Sequence, residues 1–286
     1  MPRQSDDALS EVIGFILIIA LITIFLSLWM TYVIPAEGRQ QEIEHMNYVR
    51  DWFTQYKITA DSLWINHDAT NKPLTNVLIS NSLTLGSQGG ATQAGGLFMP
   101  VMSPVGSTGA IVVTDKSEYI EIGGIQYPMM RLEYSATNNY WIPQSFYYQL
   151  GGVFLHQPSG TVARVAPLIN FGPSRTDIII IQMASIGSSG ISGQGPVRVD
   201  TELTNVGAEG SATGSIHLVL HNISEARGWE NILKETRFKS GLNSTTCDIT
   251  RTGSTVNVTL FGGPSNIRFQ IVNYTVSVQS IATGVS

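Results

Sequence analysis

The sequence has little of what most catalytic, metal-binding and nucleic-acid-binding proteins require. One cysteine, Cys247, occurs in 286 residues, so the chain cannot form an internal disulfide. Charged residues make up only 13% and form no dense run of either sign, which excludes the basic surface typical of a nucleic-acid binder. Neither a GxSxG elbow nor a GxxxxGKS/T phosphate loop occurs. We therefore expect no enzyme, no catalytic, cofactor-binding or metal-ligating residue, and no nucleic-acid partner.

Two features that look like chemical sites have simpler explanations. His217 and His221 have the spacing that a zinc site uses on a helix, but the alternating residues around them predict a strand. On a strand the two side chains would lie about 13 Å apart, too far for one ion. Cys247 is expected to be a small buried apolar residue of a strand rather than a reactive thiol.

A long uncharged run dominates the N-terminal part of the chain. Residues Val12 to Ile34 contain no charge, and as a helix they extend about 34 Å, enough to cross the apolar part of a bilayer. The run is longer than the roughly 7–15 apolar residues of a cleaved secretory signal. Trp29 and Tyr32 lie where interfacial aromatic residues would lie, and Pro35 marks a bend or a new helical start. The run predicts a single membrane span or a helix packed in equally apolar surroundings.

The helical pattern continues beyond the proline. Apolar residues recur three to four positions apart, at Ile43, Met46, Val49 and Phe53. Acidic residues lie between them, at Glu42, Glu44 and Asp51. This spacing predicts an amphipathic stem whose apolar stripe covers either the head or neighbouring copies of the chain.

The residues "ALSEVIGFILIIALI", positions 8–22, resemble the N-terminus of archaeal type IV pilins and pilin-like proteins. The resemblance implies that residues 1–7 are a leader cut by a membrane-embedded prepilin peptidase, with Asp6, Asp7 and Ala8 at the cut. Such leaders usually end in a basic residue or glycine, so the cleaved bond stays open between the positions after Asp6 and Asp7. The resemblance also implies a cytoplasmic N-terminus, an extracellular head and assembly with other pilin-like subunits through the helix, with Glu11 and Gly14 as assembly residues.

Glu11 has two interpretations at the threshold of the apolar run. In a filament its carboxylate can pair with the new N-terminal ammonium of a neighbouring subunit, because a paired charge costs far less in apolar surroundings than an isolated one. Alternatively, Glu11 lies among lipid headgroups and only ends the membrane segment.

The remaining residues have the pattern of a β-rich head. The tracts "YYQLGGVFLHQPSG", "GSSGISGQGPVRVDTELTN" and "HNISEARGWENILKE" extend the resemblance to pilin-like surface proteins with such a head. Residues 224–238 predict a short inserted helix, with Ser224 as its cap and Trp229, Ile232 and Leu233 facing inward. Alternating residues predict strands near positions 109–115, 119–123, 176–185, 197–206 and 215–222.

The last two predicted strands are expected to pair with each other. In residues 266–281 the apolar positions alternate through Ile271 and then change parity from Tyr274, which predicts a bulge near Val272. A Gly-Gly-Pro connection to residues 254–262 predicts a C-terminal hairpin.

These elements together define an α+β fold class. They divide the chain into a leader (1–7), a hydrophobic helix with its stem (8–58), and a mainly antiparallel, β-sandwich-like head with one inserted helix (59–286).

Four Asn-x-Ser/Thr sequons, at Asn222, Asn243, Asn257 and Asn273, are candidate N-glycosylation sites on an exposed head. Asn222, near the helix cap, and Asn273, near the predicted bulge, have local backbone roles as an alternative.

The patterns predict a non-enzymatic pilin-like protein, held in the cell membrane by one span or assembled into an extracellular filament as a minor or specialised subunit. Two alternatives stay open. One is an anchored ectodomain that binds a ligand or partner without polymerising, and the other is a tethered hydrolase, for which no motif argues.

Overall fold

The computed structural model of the protein describes residues 4–68, 74–87, 103–261 and 266–281. The fold is α+β, with one long N-terminal helical segment and a mostly antiparallel β-rich head that contains a further helix, as the sequence predicts. The helices are α1 (Gln4–Leu28), α2 (Ile34–Ile65) and α3 (Ile223–Lys239), and a π-helical turn (Trp29–Val33) joins the first two. The strands are β1 (Leu78–Thr84), β2 (Thr108–Thr114), β3 (Tyr119–Ile122), β4 (Ile125–Pro128), β5 (Arg131–Thr137), β6 (Ser145–Gln149), β7 (Gly152–Gln157), β8 (Gly160–Val165), β9 (Ile169–Phe171), β10 (Arg175–Ser185), β11 (Gly190–Gly193), β12 (Pro196–Val206), β13 (Gly210–Ala212), β14 (Ser215–Val219), β15 (Cys247–Thr252), β16 (Thr255–Leu260) and β17 (Asn266–Ser280).

Pro35 accounts for the π-helical turn. A proline lacks the N–H group, and its ring would clash with the carbonyl four residues back, that of Thr31. The turn before it widens, so that the Ile34 N–H donates to the Trp29 carbonyl five residues back. Pro35 itself lies in the first turn of α2, where no N–H is needed. The apolar segment and the stem therefore form one continuous helical segment, which ends at Ile65, seven residues beyond the predicted boundary at position 58.

The described strands form three sheets. Sheet 1 has the order β1-β12-β17-β10-β9, with β13 paired to one end of β17. Sheet 2 has the order β11-β2-β5-β6-β7-β8, and sheet 3 has the order β15-β16-β14-β3-β4. The pairs are antiparallel except for β10 with β17, which run parallel in the middle of sheet 1.

Two hydrophobic cores lie on opposite faces of sheet 1. The first core is enclosed by α2, sheet 1 and sheet 2, and the second mainly by sheet 1, sheet 3 and α3. Strand β17 contributes side chains to both cores. Ile267 packs into the second core, whereas Val272 and Tyr274 pack into the first. Strand β10 does the same with Ile178 and Ile181, which explains its run of consecutive isoleucines.

The predicted C-terminal hairpin is wrong, whereas a bulge does lie next to Val272, with its extra residue on the partner strand β12. Strand β16 pairs with β15 and β14 in sheet 3, while β17 crosses to the centre of sheet 1. The change of parity in β17 reflects its two buried faces, and its pairing with β10 continues through Val272 without a shift. The irregularity lies on β12. Leu203 pairs with Tyr274 and Asn205 pairs with Asn273, so Thr204 between them has no partner on β17.

The inserted helix α3 has its predicted inner face but a different cap. Trp229, Ile232 and Leu233 are buried in the second core, as expected. The cap is Asn222 rather than Ser224, since the Asn222 side chain accepts the N–H of Glu225 at 2.9 Å.

Candidate functional site

The N-terminal helix exposes an apolar surface that the rest of the described chain does not cover. Apart from Trp29, which is half-buried, its large apolar side chains between Val12 and Val33 remain exposed, from 37% at Val33 to 70% at Leu21. The hydroxyl groups of Thr23 and Thr31 donate to carbonyls one turn back, at 2.8 and 2.7 Å, so they add no unpaired donor. Among the described residues this is the one helix long and apolar enough to cross a membrane. The protein therefore carries a candidate membrane span at its N-terminal end.

The predicted processing and assembly residues all lie on α1. Glu11 is exposed immediately before the apolar surface, and Gly14 lies on the helix where an added Cβ would meet no atom within 4 Å. Asp6, Asp7 and Ala8 fall within the helical backbone, but their side chains lie outside the described residues. Glu11 and Gly14, the residues predicted to take part in assembly, thus lie at the start of the apolar helix surface that the head leaves uncovered.

Glu42 fastens the stem to the head. Its Oε1 accepts the N–H of Asn139 at 2.6 Å, and its Oε2 accepts the N–H groups of Tyr140 and Trp141 at 2.9 and 2.6 Å. Gly38, one turn earlier, lies against the Tyr140 ring, where a Cβ would be only 2.4 Å from the nearest ring carbon. Glu42 is one of the acidic residues between the apolar positions of the stem, yet it is buried, with 1% of its surface exposed. Its position next to Ile43, at the edge of the apolar stripe, was the available signal.

Further along the stem, polar atoms of α2 meet partners in sheets 1 and 2. The Trp52 indole N–H donates to the Ser82 carbonyl at 2.8 Å, and the Tyr274 hydroxyl donates to the Ala60 carbonyl at 2.8 Å. His45 lies 3.1 Å from the Tyr134 hydroxyl, and burial lowers the pKa of its imidazole. The stem is therefore packed into the head rather than being a separate tether.

A second buried polar cluster joins α3 to sheet 2. Arg131 donates through Nη1 and Nη2 to both carboxylate oxygens of Glu225, at 2.8 and 3.2 Å. Glu118 accepts the Gln149 amide at 2.6 Å and the His221 N–H at 2.7 Å.

The two carboxyl groups of this cluster have opposite pKa shifts. Burial raises the pKa of Glu118 to about 7, although the charge of Arg131 acts against the shift. Burial alone would also raise the pKa of Glu225, but hydrogen bonds and charge from Arg131 hold it below its ordinary value. The cluster is buried, so its role is to hold α3 against sheet 2.

The four sequons lie in different environments. Asn243 is exposed in the loop after α3, with its Oδ1 accepting the N–H groups of Thr245 and Thr246. Asn222 caps α3, and its amide nitrogen donates to Glu225. Asn257 lies within β16, with its Oδ1 2.7 Å from His217, and Asn273 lies within β17.

The histidine and cysteine predictions concern β14 and β15. His217 lies on β14 and contacts Asn257 and Ser215, whereas His221 follows that strand. Cys247 is fully buried in β15, as predicted, and burial raises the pKa of its thiol to about 11. Within the described ranges, no group of three or more His, Cys, Asp or Glu side chains could hold a metal ion.

Comparison with known protein families, with curated proteins and with solved structures finds no match for this chain.

Proposed function

We propose that the chain is a non-enzymatic, pilin-like cell-surface protein that assembles through its N-terminal helix as a minor subunit of an archaeal type IV pilus-like filament. One observation carries the proposal. The apolar surface from Val12 to Val33 is left open by the chain's own head, yet the same helix continues without interruption into the first core.

The physical reason is the cost of leaving that surface in water. Burying apolar surface contributes about 25 cal/mol per Å², so a helix of this kind requires lipid or other copies of the same helix. A stem built into the head keeps each head fixed to its own helix. Packed helices would then form the interior of a filament and the heads its outside.

The proposed partners follow from the resemblance at residues 8–22. A prepilin peptidase cuts near Asp6, Asp7 and Ala8, and other pilin-like subunits pack against Glu11 and Gly14. Before assembly, the protein is a single-pass membrane protein with an extracellular head.

The native N-terminus tests the processing step. Mass spectrometry of protein isolated from its own cells is expected to find a chain beginning at residue 7 or 8. A mature chain that begins at Met1 or Pro2 would contradict the prepilin interpretation.

Shearing tests the assembly step. Mechanical shear of cells, followed by electron microscopy and immunodetection of the released material, is expected to find the protein in filaments. Glu11→Gln should reduce that fraction about tenfold or more, because it removes the charge that pairs with a neighbour's ammonium. Glu44→Gln, on the exposed side of the stem, is the matched control and should leave the fraction unchanged.

An anchored ectodomain that does not polymerise is the second candidate function. The same exposed span favours it, because a lipid bilayer would cover the apolar surface as well as neighbouring helices would. In that case the protein stays in the membrane fraction after shear, and Glu11→Gln behaves as the unsubstituted protein does.

A further inference from the structure

A groove lies between the stem and the outer strands of sheet 2. It is open to solvent, has a cavity volume of about 170 Å³, and is lined on one side by α2 and on the other by β6, β7 and β8. Phe146 and Leu155, which are opposite each other on β6 and β7, form its apolar floor together with Met46. This volume is smaller than the roughly 300–1,000 Å³ of a pocket for a drug-sized ligand, but an open groove of this kind with an apolar floor can take one ring of a larger ligand.

A β-bulge brings an unpaired arginine to this groove. On β8, Ala163 lies opposite Phe154 and Val165 lies opposite Val153, so Arg164 between them has no counterpart on β7. Bulges at sheet edges redirect a side chain, and Arg164 lines the groove. Within the described part of the chain its guanidinium has no ion-pair or hydrogen-bond partner.

The groove has a net positive charge. Arg50 is the second lining arginine, and it is held by Asp51 and Asn47. Among the described lining residues there is no carboxylate. An anionic group is therefore the charged part of a ligand that this groove would accept.

The other lining groups suit a ring that carries hydroxyls. The side-chain amides of Gln144 and Gln157 make no hydrogen bond to any described residue, and each can both donate and accept. Trp141 supplies an aromatic wall, and the three hydrogen bonds from Glu42 to the backbone of residues 139–141 hold that wall in place. A wall that is already ordered lowers the entropic cost of binding.

The geometry points to this groove as a binding site for an acidic saccharide, a sugar of the uronic-acid class. Arg164 takes the carboxylate, Gln144 and Gln157 take ring hydroxyls, and Trp141 with the apolar floor takes the less polar face of the ring. The site lies on the head, so it does not depend on whether the chain polymerises. Its failure would leave the filament proposal standing, and the reverse also holds.

Calorimetric titration of the full chain in detergent with trigalacturonate tests the site. Saturable binding is expected, and it should weaken about tenfold to a hundredfold for Arg164→Gln, which removes a charged hydrogen bond. The methyl ester of the same trisaccharide, which lacks the charge, should lose a similar factor. Arg227→Gln is the matched control, because Arg227 on α3 is also exposed and without a partner in the described residues, yet lies outside the groove.

Four outcomes would overturn the assignment. The first is no saturable binding at millimolar trigalacturonate, and the second is an equal loss of affinity in Arg164→Gln and Arg227→Gln. The third is displacement of the sugar by equimolar inorganic phosphate, and the fourth is tighter binding of an acidic peptide than of the saccharide. The third would indicate a general anion site, and the fourth a protein partner.

Discussion

At the scale of single residues, the buried carboxylate of Glu42 joins the stem to a loop of the head. It satisfies three backbone N–H groups of one loop, in which Tyr140 lies against Gly38 of the stem and Trp141 lines the groove. Removing the acceptor would leave these donors buried and unpaired, which costs much more than the net value of the hydrogen bonds themselves.

Glu42→Gln is therefore expected to lower the free energy of unfolding by about 2–4 kcal/mol, because an amide offers one acceptor oxygen where the carboxylate offers two. Urea unfolding of the full chain in detergent, followed by tryptophan fluorescence, measures the change. Glu44→Gln, two positions away and exposed, is expected to cost about 0.5 kcal/mol or less. Equal midpoints for the two variants would refute the role given to Glu42.

Asn243 is expected to be the preferred glycosylation site of the four sequons. It is exposed in a loop, and its amide nitrogen has no hydrogen-bond partner among the described residues. Asn257 is held in a strand next to His217, and Asn222 would lose its hydrogen bond to Glu225. Glycopeptide mass spectrometry of protein from a glycosylating host should find occupancy at Asn243 and least at Asn257. A glycan on Asn257 in folded protein would contradict this order.

At the scale of elements, the cap of α3 is the clearest difference between the sequence pattern and the structure. Asn222→Ala should lower the free energy of unfolding by about 1–2 kcal/mol, because it removes the acceptor for the Glu225 N–H. Ser224→Ala should cost about 0.5 kcal/mol or less, since the Ser224 hydroxyl only contacts Thr161, at 3.1 Å. If Ser224→Ala proved the more damaging change in the same urea experiment, the cap assignment would fail.

Elements with a local signal could be predicted from the sequence, whereas their pairing could not. Hydrophobic periodicity predicts the bounds of the following elements to within a few residues: the apolar helix, the stem and the strands β2, β3, β10, β12 and β14. The position of β17 does not, because its partners β10 and β12 lie more than 50 residues earlier in the chain and it carries apolar residues on both faces. In the sequence, a strand that buries both faces shows the same parity change as a strand with a bulge, so periodicity alone does not distinguish them.

The residues of the candidate sites also differ in whether the sequence alone can identify them. Glu11 and the apolar run are visible in the sequence because they depend on one helix. Arg164 and Trp141 come from separate strands and loops, and only the fold brings them beside Arg50 on the stem.

At the scale of the whole molecule, the Arg131 cluster makes stability depend on pH. Burial raises the pKa of Glu118 from its ordinary 4.5 to about 7, so the folded chain binds this proton more tightly than the unfolded chain does. Its contribution is complete below pH 4.5 and is lost as the pH rises through 7, a total of at most about 3 kcal/mol.

We expect the free energy of unfolding of Glu118→Gln to change less between pH 4.5 and 8 than that of the unsubstituted protein. His45 and Asp61 are present in both proteins. Glu225 interacts directly with Glu118, so the difference between the two curves reports the titration of this carboxyl pair. Urea unfolding at half-unit pH steps measures both curves. Parallel curves across this range would exclude Glu118 as the titrating group.

The central position of β17 in sheet 1 also determines when the head can finish folding during synthesis of the chain. Tyr274 donates to the stem at Ala60, more than 200 residues earlier, and it does so from a strand that runs parallel to β10. Long-range and parallel pairings of this kind form slowly. The apolar helix can enter a membrane while the ribosome is still translating the head, but the first core stays open until residues 266–280 have emerged. Until then the growing chain exposes apolar strands of the first core, which favours aggregation of incomplete chains.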